Sequence, residues 1–158
     1  MSEHTGKRLP IRRMVRERAL QLLYQTDMTT GSAETAPPEA THALAAGGFP
    51  GLKAKELRKI QRLADELANA VRDDLEAIDA MLDNISKNWD LGRMLSIDRN
   101  VMRIAVYEMR RGDPPPAVAI NEAVDIAKRF GGDDSGSFVN GVLDRIHQTS
   151  FSKTAKAK

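Results

Sequence analysis

Apolar residues recur every third or fourth position along most of this chain, and no stretch alternates as a half-buried strand would. Leu9 to Met28 reads as one amphipathic helix, with Val15, Ala19, Leu22 and Leu23 on a shared face. From Thr29 to Gly51 the rhythm fails. Pro37, Pro38, Pro50 and four glycines stand there among few large apolar residues, which predicts a flexible insertion with a short Ala-rich helix near Glu39–Ala46. The stepping resumes through Leu57, Ile60, Ala64, Leu67, Val71, Leu75, Ile78, Leu82 and Ile85, as one long helix or two nearly collinear ones. Trp89-Asp90-Leu91-Gly92 marks a turn. Ser96 or Asp98 is placed to cap the next helix, whose two apolar faces make it central and largely buried. Gly112 to Pro116 stops it near Arg111; Asn121 caps a further helix ended by Gly131-Gly132. Asp133-Asp134-Ser135 opens a last helix with Phe138, Val139, Val142, Leu143 and Ile146 inward. The expected fold class is all-α.

Composition removes function classes more than it adds them. The 158 residues contain no Cys, so disulfide frameworks, thiolate zinc sites and Cys nucleophiles are all excluded. His4, His42 and His147 share no ligand spacing, and no metal or cofactor is expected. No apolar run approaches the roughly 18 residues of a membrane span. Met1 to Arg18 is too polar for a secretory signal, so the expected compartment is the cytoplasm. Asp133-Asp134 has the composition of an acid/base pair, but beside a Gly-Gly stop it reads first as helix capping. With no nucleophile–base pair and no Gly-rich strand-to-helix turn, an enzyme is not expected.

Charge is segregated although it nearly cancels, at 24 Lys and Arg against 22 Asp and Glu. Six of the bases fall within the first eighteen residues, and Arg12, Arg13 and Arg16 crowd the start of the first helix. There they oppose the helix dipole, which suggests a polyanionic partner. Asp73, Asp74, Glu76, Asp79 and Asp83 make an acidic run with no base among them. Each such run also reads as an ordinary solvated helix face.

The C-terminal half carries a more specific signal. Asp98-Arg99-Asn100-Val101-Met102-Arg103-Ile104-Ala105-Val106-Tyr107-Glu108-Met109 is followed by Ala119-Ile120-Asn121-Glu122-Ala123-Val124, then by Ala127-Lys128-Arg129-Phe130-Gly131. Asp134-Ser135 leads into Phe138-Val139-Asn140-Gly141-Val142-Leu143-Asp144. With Arg16-Glu17, Ala19-Leu20-Gln21 and Leu23-Tyr24-Gln25 near the start, the sequence resembles the NusB family of transcription antitermination factors over most of residues 11–147. The resemblance implies two small helical bundles packed together. It implies a protein that pairs with the ribosomal protein NusE, binds boxA-type single-stranded RNA of nascent ribosomal RNA transcripts and joins the RNA polymerase antitermination complex. By the same resemblance Arg12, Arg13, Arg16, Asp134, Ser135 and Phe138 are RNA-binding positions, and Tyr24 and Asp98 are partner-binding positions. Phe138 also reads as a core residue. Relatives of this kind occur as monomers and as homodimers, and both states stay open.

The resemblance divides the chain into a flexible basic arm (1–10), a helical domain (11–148, with the insertion at 29–51) and a disordered basic tail (149–158). Two departures stand out. Gly136 and Ser137 occupy positions where relatives can carry His-Lys, and the insertion is unusually long. The same helical domain precedes the catalytic part of ribosomal RNA cytosine-C5 methyltransferases. This sequence has no Cys for their covalent step and no Gly-rich cofactor loop, so that alternative reduces to a stand-alone RNA-binding domain without catalysis. The other alternative is a helical protein–protein adaptor.

Overall fold

A computed structural model describes residues 10–30, 51–85 and 94–151. The described residues form six α-helices and no strand: α1 (Ile11–Thr30), α2 (Ala54–Asp73), α3 (Leu75–Ile85), α4 (Ser96–Arg111), α5 (Pro116–Phe130) and α6 (Ser135–Ile146). A π-helical turn, His147–Phe151, follows α6. The fold is all-α, as the periodicity predicts. α1 packs chiefly on α2, while α4, α5 and α6 pack on one another, and α4 touches all five other helices. Its central place follows from its sequence, because Ile97, Val101, Met102, Ile104, Ala105, Val106 and Met109 point both ways into the core.

The long stepping run resolves into two helices rather than one. At Asp74 the backbone N–H donates to the carbonyls of Ala70 and Val71, both at 3.2 Å, and a new helix begins at Leu75. Arg110 on α4 reaches this break, donating from Nε to Asp74 Oδ2 at 2.7 Å. Ile60, Ala64, Val71, Ile78 and Leu82 are buried as the spacing requires, whereas Leu57 in the first turn of α2 is exposed.

Several expected caps do other work. Leu95 holds the N-cap position of α4, with no side-chain capping bond. Ser96 Oγ instead donates to Asp27 Oδ2 on α1 at 2.8 Å, joined by Asn100 Nδ2 at 2.7 Å. Arg103 extends the cluster, donating to Asn100 Oδ1 and, through two bonds of 2.8 and 2.9 Å, to Asp79 on α3. These buried polar groups satisfy one another and tie three helices together. α5 starts five residues before Asn121, with Pro116 in its first turn, where a missing N–H costs nothing. Gly112 ends α4 with φ at 88°, the left-handed conformation that a helix stop of this kind favours in glycine.

Most of the expected arm, insertion and tail lie outside the described residues, as do Trp89 and its turn. Where the described chain enters the expected tail it is ordered into the π-helical turn: Thr149 Oγ1 donates to Arg145 O at 2.8 Å, and Phe151 packs against the core. Among the described residues no helix is long and apolar enough to cross a membrane.

Candidate nucleic-acid interface

Of the three arginines at the start of α1, only Arg12 is exposed. Arg13 donates from Nε to Glu122 Oε1 at 2.9 Å, makes a second, short bond to Glu122 Oε2, and reaches Asp125 Oδ2 at 3.0 Å. Arg16 is buried and holds Glu108 through both carboxylate oxygens, with a further 3.2 Å bond to Glu122 Oε1. The first turn of α1 contains no acid, and α4 and α5 supply the missing negative charge from outside. Two of the three bases thus have partners within the chain, and an external polyanion is not needed to explain them.

The seam continues along both helices. Glu17, 5% exposed, accepts two bonds from Arg129 Nη1 at 3.0 and 3.2 Å, and the Arg129 guanidinium lies 5.0 Å from the centre of the Phe130 ring. Residues 13 and 16 meet 122 while residue 17 meets 129, so the seam spans seven residues of α5, roughly 10 Å at the α-helical rise. It leads from the arginine-rich start of α1 to the turn between α5 and α6. Burial pushes the Glu17 and Glu108 carboxyls above the usual glutamate range, with Arg129 and Arg16 opposing. The Arg13 hydrogen bond holds Glu122 below it.

Beside the seam, a groove of about 500 Å³ runs between α1, α2 and α4. Ile11, Val15, Leu63, Leu67 and Tyr107 are among its lining residues, with Arg12 and Arg111. Both of these guanidinium groups are exposed, and neither makes a hydrogen bond or ion pair among the described residues.

At the far end of the seam the turn at 131–135 presents the other expected residues. Asp134 occupies the N-cap position of α6 and is exposed, but its carboxylate makes no capping bond. Ser135 does the bonding instead. It is 4% exposed, accepts from the Gly132 N–H at 2.8 Å and donates to Asp98 Oδ2 at 3.0 Å. Phe138 is half-buried, with part of its ring against the core. A Cβ on Gly136 would stand 2.7 Å from Lys128 Cγ, so the Lys128 stem crosses this glycine and brings an exposed cation to the turn. A base therefore lies beside the positions where the sequence lacks one.

Tyr24 and Asp98 are both 5% exposed. Asp98 keeps one oxygen, Oδ1, buried without a hydrogen bond from the described residues, and burial raises its pKa against the pull of Ser135. Sequence reasoning missed Arg111 and Lys128. Their only signal is a basic last helical turn, which many helices carry. No group of acids and histidines among the described residues could hold a metal ion.

Residues 13–148 match the model of the NusB family. A similar protein is the transcription antitermination protein NusB of Citrifermentans bemidjiense, 43% identical over 143 residues, covering 90% of this chain and 97% of the relative. Among solved structures, T. maritima NusB is 32% identical with a TM-score of 0.63, covering 90% of this chain and 94% of that one. A chain from a crystal structure of antitermination factors NusB and NusE in complex with dsRNA shares the fold, with a TM-score of 0.64 at 24% identity, covering 87% of this chain and 96% of that one.

Proposed function

The chain belongs to the NusB family, and on that premise we propose that it binds boxA-type single-stranded RNA of nascent ribosomal RNA transcripts together with the ribosomal protein NusE. In the RNA polymerase antitermination complex this pair promotes read-through. The work is recognition and positioning, with no bond made or broken by the protein.

The observation that carries the reading is the exposed positive charge at both ends of the α1–α5 seam, which makes no hydrogen bond or ion pair among the described residues. Arg12 and Arg111 stand exposed at one end, where Arg111 also acts electrostatically on the buried Glu108, and Lys128 lies over the turn at the other. A single strand laid along the seam would meet cations at both ends, and the half-buried Phe138 ring lies in the first turn of α6 beside one of them. Arg13, held by Glu122 and Asp125, adds to the grip only where a phosphate displaces a carboxylate, so the full contacts are Arg12, Arg111 and Lys128. Arg16 holds α1 at the right angle from beneath, and Asp134 and Ser135 set the turn. Tyr24 and Asp98 shape the NusE-facing surface from just below it. Three phosphate contacts on a single strand give a log–log salt slope near −2, a modest grip that suits a protein needing a partner.

A mobility shift with boxA and scrambled RNA, with and without NusE, tests this. Preference for boxA that strengthens with NusE and weakens with salt is expected. Equal binding of both RNAs under every condition overturns the reading, and NusE binding without any RNA binding would leave a protein–protein adaptor.

A further inference from the structure

We infer that Ser135 is a positioning residue, and that the Asp98–Ser135–Gly132 hydrogen-bond chain couples the partner-facing start of α4 to the RNA-facing turn between α5 and α6. The inference rests on the function proposed above and adds the physical link between its two binding events.

The chemistry of one hydroxyl carries it. A serine has a single O–H to donate, and that of Ser135 is committed to Asp98 Oδ2 at 3.0 Å. Its oxygen also accepts from the Gly132 N–H at 2.8 Å. A phosphate at Ser135 would have to displace a carboxylate as acceptor of the hydroxyl's hydrogen bond and then sit against that carboxylate's charge, at a residue only 4% exposed. Ser135 is therefore a poor ligand and a good brace.

What it braces is close-fitting. A Cβ on Gly131 would stand 2.6 Å from the Ser135 Cβ and 2.7 Å from the Ala127 carbonyl, so the turn passes over Ser135 with no space between. Leu95, at the start of α4, lies under the same turn. A shift of α4 at Asp98 moves the Ser135 hydroxyl, and with it the Gly132 amide and the residues leading to Asp134.

Asp98 is suited to respond to a partner because its bonding is incomplete. Oδ1 is buried and takes no hydrogen bond from the described residues, an unfavourable state for an acceptor. A partner that brings a donor to the start of α4, or turns this carboxylate, improves its bonding and is felt at Ser135. By linkage, RNA that selects one arrangement of the turn must raise partner affinity by the same factor.

The test measures boxA affinity with and without saturating NusE for the wild type, Ser135→Ala and Asp98→Asn. It also follows the Gly132 amide resonance on adding NusE alone. In the wild type NusE should raise RNA affinity at least about fivefold and shift the Gly132 amide. In Ser135→Ala the enhancement should fall to within about twofold of unity and the shift should vanish. Asp98→Asn, which keeps an oxygen for the Ser135 hydroxyl, should retain part of both. An equal loss of RNA affinity with and without NusE would make Ser135 a direct contact or a plain stability residue and overturn the relay. So would a wild-type Gly132 amide that ignores NusE. A wild type that binds NusE but no RNA would sink the proposed function, leaving the amide to decide the relay; one that binds neither sinks both.

Discussion

Arg16 on α1 and Glu108 on α4 face each other across the interior through two nearly parallel bonds, Nε to Oε1 at 3.0 Å and Nη2 to Oε2 at 2.9 Å. Both side chains are almost wholly removed from water. Such a pair adds little over a well-packed apolar pair, but breaking it strands a buried charge. Arg16→Ala is expected to cost about 3–5 kcal/mol in urea unfolding. Arg16→Met combined with Glu108→Leu should recover most of that loss. If the single substitution is harmless, the pair does not hold α1 to α4.

Arg12, Arg111 and Lys128 should behave in the opposite way. Each is exposed, so alanine at any one should change stability by no more than about 0.5 kcal/mol. Each should weaken boxA binding and reduce the salt slope by about 0.7, the share of one phosphate on a single strand. Slopes from titrations across a range of salt concentrations decide this, and a slope unchanged by all three substitutions would move the RNA elsewhere.

The helices were legible in the sequence because their signals are local. Periodicity places α4 at the centre, Gly112 stops it, and Gly131-Gly132 ends α5. The caps were not legible. Ser96 and Asp98 look like capping residues in sequence, yet they bond Asp27 and Ser135, 69 and 37 residues away. The same blindness affected the basic cluster. Arg13 and Arg16 look like free charges opposing a dipole until Glu122 and Glu108 arrive from 109 and 92 residues downstream. Two of the five acids in the acidic run are absorbed in the same manner, since Asp74 and Asp79 clasp Arg110 and Arg103. Arg111 and Lys128 failed to stand out because an ordinary helix end carries bases for its own dipole.

The seam also predicts how stability depends on pH. Glu122 sits below its ordinary pKa because of Arg13, so its contribution is complete above the ordinary glutamate value and disappears as pH falls through its lowered folded value. Glu17 and Glu108 have the opposite sign. Burial makes the folded chain hold their protons more tightly than the unfolded chain, so acidification from neutral toward the ordinary glutamate range stabilises the fold through them. Urea midpoints across this range should lose part of their acid-side decline in Glu122→Gln. They should lose part of the preceding rise in Glu108→Gln, whatever its overall loss of stability. Identical pH profiles for wild type and variants would contradict the assignment.

Under the proposed function, Glu122 would compete with RNA for Arg13. The guanidinium is already satisfied by both oxygens of Glu122 and one of Asp125, so a phosphate gains nothing until a carboxylate lets go. Glu122→Gln keeps the size of the side chain and one acceptor oxygen but removes the charge that repels an incoming phosphate. Arg13 then becomes a full phosphate contact. The boxA affinity of the chain should rise about two- to fivefold at low salt, and the salt slope should steepen by about 0.7. The gain must pass through Arg13, so adding Arg13→Ala to Glu122→Gln should remove it, while Arg13→Ala alone should weaken binding less than Arg12→Ala does. If Glu122→Gln leaves affinity and slope as they were, Arg13 belongs to the scaffold with Arg16, and the grip on RNA rests on Arg12, Arg111 and Lys128 alone.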